Sequence, residues 1–376
     1  MTNKIGLYLH IPFCVRKCSY CDFLSAPAPP HKQAEYVACI KKEIAAYRGR
    51  GYEADTVFFG GGTPSLLSAE WMEELLEELH RSFLIADSAE ITVECNPETV
   101  DEGKLSAMKR AGVSRISFGL QSASDRELLL LGRIHSYARF LEAFRSAEKA
   151  GFDNINVDLM SAIPGQTEAS WEETLSKVIS LRPAHISAYS LIIEEGTPFF
   201  DRQGELALPD EDAERRMYYR TEKLLSQAGY KRYEISNYAK PSRECRHNLK
   251  YWTGGEYLGI GLGASSFFAG ARYHNPANMA EYSAACEDLA ALKREEEFLT
   301  KKQRMEEFCF LGLRLTDGIS REEFFRRFGL PIEEVYGEAL DKYLSLGLLE
   351  KNGDGIALTA RGIDVSNQVF LGFLLE

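Results

Sequence analysis

Three cysteines near the start of the chain have the residue type and spacing for metal chemistry. Cys14, Cys18 and Cys21 form the pattern C-x3-C-x2-C, and the other five cysteines stand apart from one another. Thiolate is a soft ligand that selects zinc or iron–sulfur centres. Zinc would need a fourth protein ligand, for which His10 or His31 is the nearest candidate. A four-iron cluster on three thiolates would instead leave one iron open to a small molecule, which would make the loop a reaction site.

The residues around the triplet resemble the signature of the radical S-adenosylmethionine superfamily, C-x3-C-x-Tyr-C, with Tyr20 before the third cysteine. The resemblance implies a 4Fe-4S cluster on Cys14, Cys18 and Cys21. It also implies S-adenosyl-L-methionine, whose amino and carboxylate groups chelate the open iron while Tyr20 lies beside the adenine. Reductive cleavage of that cofactor needs one electron, so an electron donor is an implied partner.

Composition restricts the class of protein. The chain has 376 residues, 45% of them hydrophobic, and carries 44 basic against 56 acidic residues, for a net charge of -12. This length suits one large domain and a smaller one. The acidic balance argues against nucleic acid as a partner of the whole surface. No leader pattern or membrane-length apolar run is present, so we expect a cytoplasmic protein with reduced thiols and no transmembrane segment. Peripheral membrane contact stays open.

Short apolar runs alternate with amphipathic stretches through the first half of the chain. Helical spacing follows the runs, for example over Ala69–Phe83 and Tyr137–Ala150. Six β-then-α units predict a parallel sheet that curls into a partial barrel, an α/β fold with a TIM-like (β/α)6 architecture. The superfamily resemblance implies the same fold. The predicted strands are Ile5–Ile11, Thr56–Phe59, Ile91–Glu94, Arg115–Phe118, Asn154–Leu159 and His185–Leu191.

Polar and glycine-rich residues follow the predicted strands, where chemistry gathers in such barrels. Glu94, Gln121 and Asp158 share this level on three successive strands, which predicts one pocket. Gly61 and Gly62 would let backbone approach a ligand, or would only form a tight turn.

Eleven positions match the cofactor motifs of the superfamily. For one of them, Arg133, a surface charge is the alternative interpretation. The match is looser for the last two, which the resemblance places beside the adenine. The implied cofactor-binding positions are Tyr8, Tyr20, Gly61, Gly62, Thr63, Glu94, Gln121, Arg133, Asp158, Ile192 and Phe267.

A second informative region is His247-Asn-Leu-Lys-Tyr251-Trp252. A histidine beside aromatics is usually a structural hydrogen-bonding residue, but imidazole is also a common haem ligand. The pattern His-Asn-x-x-Tyr-Trp resembles a motif of the haem chaperones related to oxygen-independent coproporphyrinogen III oxidases. That resemblance implies haem as ligand, haem-accepting proteins as partners and His247 as a candidate haem contact. The nearby Gly259-x-Gly261-x-Gly263 run predicts a late strand that passes close to the cofactor.

Two features near the cysteine loop distinguish the chaperones from the oxidases within this resemblance. The oxidases have a further cysteine two residues beyond the third, where this chain has Phe23, and a longer N-terminal extension. Both departures favour a haem chaperone that carries the cluster and S-adenosylmethionine. The alternative is a radical S-adenosylmethionine coproporphyrinogen III dehydrogenase, which oxidatively decarboxylates propionate side chains. Enzymatic activity is therefore left open, and no catalytic residue is assigned.

The end of the chain has helical periodicity over Lys301–Leu315, Ser320–Phe328 and Ile332–Leu346, followed by a hairpin pattern around Asn352-Gly-Asp-Gly355. Three helices and a hairpin predict a mainly helical, winged-helix-like domain. Acidic residues on the third helix would repel phosphate, so we expect a cap and not a DNA-binding module. The predicted domains are residues 1–230, the barrel; 231–294, a linking region with the His-Asn-x-x-Tyr-Trp motif; and 295–376, the winged-helix-like domain. The haem acceptor, the haem ligand and the oligomeric state stay open.

Overall fold

A computed structural model describes residues 4–375. Six strands alternate with helices through the first half of the chain. The elements are β1 (Ile5–Ile11), α1 (Pro30–Ala46), β2 (Glu53–Gly61), α2 (Ala69–Ser82), β3 (Leu84–Cys95), α3 (Glu102–Arg110), β4 (Arg115–Gln121), α4 (Asp125–Leu130), α5 (Tyr137–Lys149), β5 (Ile155–Ser161), α6 (Glu168–Leu181) and β6 (His185–Ser190). Each strand pairs in parallel with the next, from β1 to β6. The predicted α/β fold with six successive parallel strands is confirmed.

Local sequence explains why these elements form. β1 is apolar apart from His10 and is largely buried on both faces, which is typical of a strand within a parallel sheet. α2 begins where the Ser68 side chain accepts a hydrogen bond from the Trp71 backbone N–H, a standard N-cap. Its apolar residues recur at three- and four-residue spacing, which puts them on one buried face. Those residues are Met72, Leu75, Leu76 and Leu79.

The segment after β6 extends the sheet at both edges. Its elements are α7 (Pro198–Asp201), α8 (Glu211–Gln227), β7 (Lys231–Arg232), β8 (Asn237–Ala239), α9 (Arg246–Trp252), β9 (Tyr257–Ile260), β10 (Ser265–Phe268), β11 (Ala271–His274), α10 (Met279–Ala285), α11 (Leu289–Leu292) and β12 (Arg294–Phe298). The order across the whole sheet is β12-β11-β10-β9-β1-β2-β3-β4-β5-β6-β8-β7. β9 runs parallel to β1, while β8 runs antiparallel to β6. The C-terminal half therefore completes both flanks of the barrel sheet.

The last part of the chain has the predicted three helices and hairpin. Its elements are α12 (Lys301–Gly312), β13 (Ile319–Ser320), α13 (Arg321–Phe328), α14 (Ile332–Ser345), β14 (Leu349–Asn352), β15 (Gly355–Leu358), α15 (Ala360–Asp364) and α16 (Ser366–Leu371). β13 pairs with β15 and β15 with β14, which gives the small sheet of a winged-helix-like unit. The unit packs its own apolar core around Phe324, Tyr336 and Phe373. A larger core fills the space between the barrel strands and their helices.

Within residues 4–375, no helix combines the length and the apolar composition that are needed to cross a bilayer.

Candidate functional site

A cavity of about 330 Å³ lies inside the barrel, next to the cysteine loop. Besides His247, its lining brings together twelve of the other fourteen residues that the sequence singles out as site residues. They are Tyr8, Cys14, Cys18, Tyr20, Cys21, Gly61, Gly62, Thr63, Glu94, Gln121, Arg133 and Asp158. Residues of three successive strands, the glycine loop and the cysteine loop therefore surround one cavity, as the sequence predicts.

Two predicted adenine contacts lie elsewhere. Ile192 follows β6 with 68% of its surface exposed and does not line the cavity. Phe267 is on β10, in the antiparallel extension of the sheet, and faces a different cavity beside α12 and α13. Neither residue is therefore among those that line the cavity, and their contact with the adenine stays a prediction.

The cysteine loop connects β1 to α1 and is fixed by backbone hydrogen bonds on several sides. The Cys14 N–H donates to the Ala26 carbonyl at 3.2 Å, and the Ser19 N–H donates to the Leu131 carbonyl at 3.0 Å. The Ser19 carbonyl in turn accepts from the Phe199 N–H at 3.0 Å. The loop's backbone is therefore tied to its own C-terminal end and to the segments after β4 and β6.

The three cysteines are free thiols that are partly exposed to the cavity. Within residues 4–375, no three His, Cys, Asp or Glu side chains are arranged to hold a metal ion as they stand. Two side chains from other strands approach the sulfurs: Thr63 Oγ1 lies 3.6 Å from Cys14 Sγ, and Arg133 Nη1 lies 3.5 Å from Cys18 Sγ. Three soft donors with a hydroxyl and a cation beside them fit a cluster with anionic sulfurs.

The glycine loop after β2 is packed against the backbone of the cysteine loop. Gly61 has φ +107°, and a Cβ on it would lie 2.5 Å from the His10 ring; a Cβ on Gly62 would lie 2.6 Å from the Phe13 carbonyl oxygen. The Gly62 N–H donates to Ile11 at 2.8 Å and the Thr63 N–H to Phe13 at 2.7 Å. Glycine is required here by the close approach of two backbones. That approach is also what brings the Thr63 hydroxyl to Cys14.

Glu94 and Asp158 give the cavity two carboxyl groups with different surroundings. Glu94 accepts a hydrogen bond from the Gly61 N–H at 3.2 Å. Burial, together with the charge of Asp158, raises the pKa of Glu94 to about 8. Asp158 accepts hydrogen bonds from the Ser117 hydroxyl at 3.1 Å and the Asn156 amide at 2.7 Å. A protonated Glu94 can donate a hydrogen bond as well as accept one, which suits a ligand with hydroxyl groups.

Two polar atoms at the same end of the cavity are buried and have no hydrogen-bond partner among residues 4–375. They are Gln121 Oε1 and Arg133 Nε, although Arg133 also donates through Nη2 to the Gly119 carbonyl. Gln121 adopts φ +75°, an uncommon conformation for a residue with a side chain. Unsatisfied buried polar atoms beside three thiols fit a polar cofactor such as S-adenosylmethionine.

His247 lies on α9, at the amino ends of the barrel strands. Its side chain is buried, with Nδ1 2.8 Å from Thr56 Oγ1 and Nε2 2.9 Å from the Tyr251 hydroxyl. Burial lowers the pKa of His247 to about 3, so the imidazole is neutral. Both ring nitrogens are engaged, and coordination of a haem iron would require one of these bonds to break.

The glycine run Gly259-x-Gly261-x-Gly263 begins inside β9 and packs against neighbouring elements. A Cβ on Gly259 would lie 2.2 Å from the Ser265 carbonyl oxygen. A Cβ on Gly261 would lie 2.6 Å from the Tyr36 hydroxyl. None of its residues lines the cavity. The glycines allow close packing against β10 and α1, and β9 pairs with β1 at Tyr8, which lines the cavity; that this strand passes close to the cofactor stays a prediction.

Strand alternation reveals cavity residues that the sequence analysis missed. Arg115 and Ser117 on β4, Asn156 on β5 and Ser187 on β6 all line the cavity below the strand ends. On β4 they alternate with the fully buried Ile116, Phe118 and Leu120. Polar residues at every second position of these strands are the sequence pattern that indicates a polar, cavity-facing side.

Comparisons with known proteins cover nearly the whole chain. The Radical SAM superfamily model matches residues 8–178, and the HemN C-terminal domain model matches residues 299–365. The chain is similar to curated proteins called heme chaperone HemW. It is 36% identical over 371 residues to that of Lactococcus lactis subsp. lactis, covering 98% of this chain and 97% of the relative. For the Bacillus subtilis protein the identity is 35% over 374 residues, covering 98% and 99%. For the Escherichia coli protein it is 37% over 388 residues, covering 99% and 97%.

Among solved structures, the fold matches coproporphyrinogen III oxidase (HemN) of Escherichia coli, which is described as a radical SAM enzyme. The TM-score is 0.86 at 22% sequence identity, covering 99% of this chain and 90% of the other. At this identity the likeness concerns the fold alone.

Proposed function

The chain belongs to the HemW family, and from this membership we propose that it is a haem chaperone, which binds haem and transfers it to acceptor proteins. The observation that carries the proposal is similarity over almost the full length to several proteins of that name. A radical SAM family match over residues 8–178 supports a resident cluster and cofactor in the barrel.

Cys14, Cys18 and Cys21 would hold a 4Fe-4S cluster, and S-adenosylmethionine would occupy the adjoining cavity. When bound, these groups supply one-electron reductive chemistry. Arg133 places a positive charge beside Cys18, which favours anionic sulfur, and Thr63 offers a hydroxyl to Cys14. Glu94 and Asp158 provide oxygens for the polar groups of the cofactor. An electron donor would have to approach the exposed side of the cysteine loop.

We place the protein in the cytoplasm, where thiols stay reduced. Support comes from the cysteines, which are all free in the described structure. The winged-helix-like unit would act as a cap. Three of its contacts are to the segment between β7 and β9. The Arg327 guanidinium donates to the Thr253 carbonyl at 2.9 Å, and the Thr316 N–H donates to the Tyr233 carbonyl at 3.0 Å. Arg314 forms an ion pair with Glu234 at 3.6 Å.

The second candidate function is oxidative decarboxylation of coproporphyrinogen III. It is favoured by the three cysteines, by the nine implied cofactor positions that line the cavity with them, and by the fold shared with HemN. Phe23 at the position of the oxidases' additional cysteine weighs against it. The two functions share a cluster and differ in what happens to a porphyrin.

Anaerobically reconstituted protein separates the two functions. Haem is titrated in one arm; coproporphyrinogen III, S-adenosylmethionine and a reductant are supplied in the other, and porphyrin products are followed. Stoichiometric haem binding without decarboxylated product supports the chaperone. Turnover to protoporphyrinogen would make the protein an oxidase, and absence of haem binding would contradict the chaperone.

A further inference from the structure

Two cysteines that stand far apart in the sequence lie side by side in the fold. Cys39 is on α1, and Cys286 immediately follows the last residue of α10. The two side chains are hydrogen-bond partners, and both are free thiols. Neither residue lines the barrel cavity. The pair is therefore separate from the three cysteines of the loop.

α1 and α10 contact each other on both sides of the two cysteines. One turn before them, the rings of Tyr36 and Tyr282 have centroids 5.6 Å apart. One turn after them on α1, Glu43 Oε2 accepts a hydrogen bond from the Tyr282 hydroxyl at 2.6 Å. Lys42 also forms an ion pair with Glu287 at 2.6 Å. Residues three and four apart share one face of a helix, so these contacts hold the two thiols opposite each other.

The two thiols differ in their access to solvent. Cys39 is partly exposed, whereas Cys286 is 2% exposed and its thiol donates to the Ser283 carbonyl at 3.4 Å. Burial, together with the neighbouring Cys39, raises the pKa of Cys286 to about 11. The charge of Lys42 is close to both sulfurs, and a nearby cation favours thiolate. A dissolved oxidant therefore reaches Cys39 first, with Cys286 as the second thiol.

We propose that Cys39 and Cys286 form a reversible disulfide, which fastens α1 to α10 when the protein meets hydrogen peroxide. The Cys39 thiolate attacks one peroxide oxygen, the O–O bond breaks and Cys39 becomes a sulfenic acid. The Cys286 sulfur then attacks the Cys39 sulfur, so the S–O bond breaks and the S–S bond forms. The two thiols lose two electrons and two protons, and the peroxide is reduced to two water molecules. A small dithiol reverses the reaction by thiol–disulfide exchange.

The bond would act on the helix that follows the cysteine loop. The Tyr36 hydroxyl, on the same face of α1 as Cys39, donates to the His10 carbonyl at 2.7 Å, near the end of β1. The His10 ring in turn lies 2.8 Å, through Nε2, from the Leu24 carbonyl in the loop. Fastening α1 at Cys39 therefore secures a support of the loop. This inference does not depend on the proposed haem chemistry.

Peptide mapping of the full-length, cluster-reconstituted protein tests the pair. The protein is treated with hydrogen peroxide at two protein concentrations, the remaining thiols are alkylated, and disulfide-linked peptides are identified by mass spectrometry. A variant without the three loop cysteines is treated in parallel, because oxidative loss of the cluster frees those thiols. Cys39→Ser and Cys286→Ser remove the pair. Cys309→Ala is the matched control, since that cysteine is buried in the core of the winged-helix-like unit.

We expect a peptide that links Cys39 to Cys286, at a yield independent of protein concentration, and its loss on treatment with dithiothreitol. Oxidation of the variant without loop cysteines should also raise its midpoint of thermal unfolding, because a cross-link between distant residues restricts the unfolded chain. Dithiothreitol should reverse the rise. Added Cys39→Ser or Cys286→Ser should abolish it, and added Cys309→Ala should not.

The mapping of the parent protein decides the outcome without relying on any variant to fold. Cys39 that is oxidised to a sulfinic acid, or linked to Cys39 of a second molecule, without a bond to Cys286 would overturn the proposal. An unmodified pair under peroxide that oxidises the loop cysteines would overturn it as well. A linked pair whose oxidation does not raise the unfolding midpoint would contradict the fastening of α1 to α10.

Discussion

The hydroxyl of Thr56 lies 2.8 Å from Nδ1 of His247, and this hydrogen bond joins the second barrel strand to α9. Nε2 of the same ring contacts the Tyr251 hydroxyl at 2.9 Å, one helical turn later. Glu90 on β3 accepts from the first N–H groups of α9. The helix that carries the His-Asn-x-x-Tyr-Trp motif is thus anchored across the amino ends of the strands.

Replacement of Thr56 by valine should destabilise the protein. The buried Nδ1 of His247 would lose its only side-chain partner in the described structure, and an unsatisfied buried polar atom costs about 1–3 kcal/mol. Urea unfolding measures the change. Thr56→Ser keeps the hydroxyl and is the matched control. A Thr56→Val protein as stable as Thr56→Ser would show that the hydrogen bond does not anchor α9.

Acid should weaken the fold through His247. The folded state holds the pKa of His247 at about 3, against an ordinary value of 6.5. Between these pH values the unfolded chain binds a proton that the folded chain excludes, so the free energy of unfolding falls as the pH falls. From about pH 7 to about pH 5.5 the loss from His247 is about 1 kcal/mol.

The variant His247→Gln isolates this contribution, because the other buried histidines titrate in both proteins. Urea unfolding at the two pH values should give a smaller decrease for His247→Gln than for the parent. An equal decrease would mean that His247 binds its proton in the folded chain as readily as in the unfolded chain, and would contradict a neutral ring held between the Thr56 and Tyr251 hydroxyls.

Simultaneous replacement of Cys14, Cys18 and Cys21 by alanine should abolish the cluster and leave the fold largely intact. The loop backbone is held by hydrogen bonds to Ala26 and Leu131, which the replacement does not touch. Iron content and visible absorption report the cluster, and circular dichroism reports the fold. Cys39→Ala, on α1, is the control that should keep its iron. Global unfolding of the triple variant, with zinc in the parent, would contradict the account.

Gly61→Ala should impair both stability and S-adenosylmethionine binding. Alanine at φ +107° is strained, and its Cβ would lie 2.5 Å from the His10 ring, so the glycine loop would have to move away from the cysteine loop. Gly51→Ala provides the control, because that glycine also has positive φ but a Cβ on it meets nothing within 4 Å. Thermal unfolding and cofactor titration should show a larger loss for Gly61→Ala. Equal losses would mean that strain alone matters.

Sequence periodicity predicts the six parallel strands of the barrel well, and the short strands that extend the sheet at its edges poorly. The first strand is found at Ile5–Ile11, as predicted, because six of its seven residues are not charged or titratable near neutral pH and form a short, nearly continuous apolar run. The third begins at Leu84 and not at Ile91, since its first half is exposed and has no strong pattern. β7 to β12 have two to five residues each, too few for periodicity, and their positions depend on pairing with β1 and β6.

The candidate site was likewise predictable where it depends on the parallel strands, and not where it depends on the later segments. The cysteines and the glycine loop are contiguous motifs at strand ends, so sequence is sufficient to bring them together. Ile192 and Phe267 depend on the loop after β6 and on the antiparallel strands, which no local pattern specifies. Arg115 was missed because attention to the carboxyl ends of strands overlooks the polar alternation that continues to their amino ends.

Transfer of haem tests the central claim most directly. Protein loaded with one equivalent of haem is mixed with apo-forms of candidate acceptor proteins, and the transfer rate is compared with release to a high-affinity apo-globin scavenger. A chaperone predicts transfer to at least one acceptor that is faster than release and rises with acceptor concentration. Transfer that never exceeds the rate of spontaneous release, for any acceptor, would contradict the account.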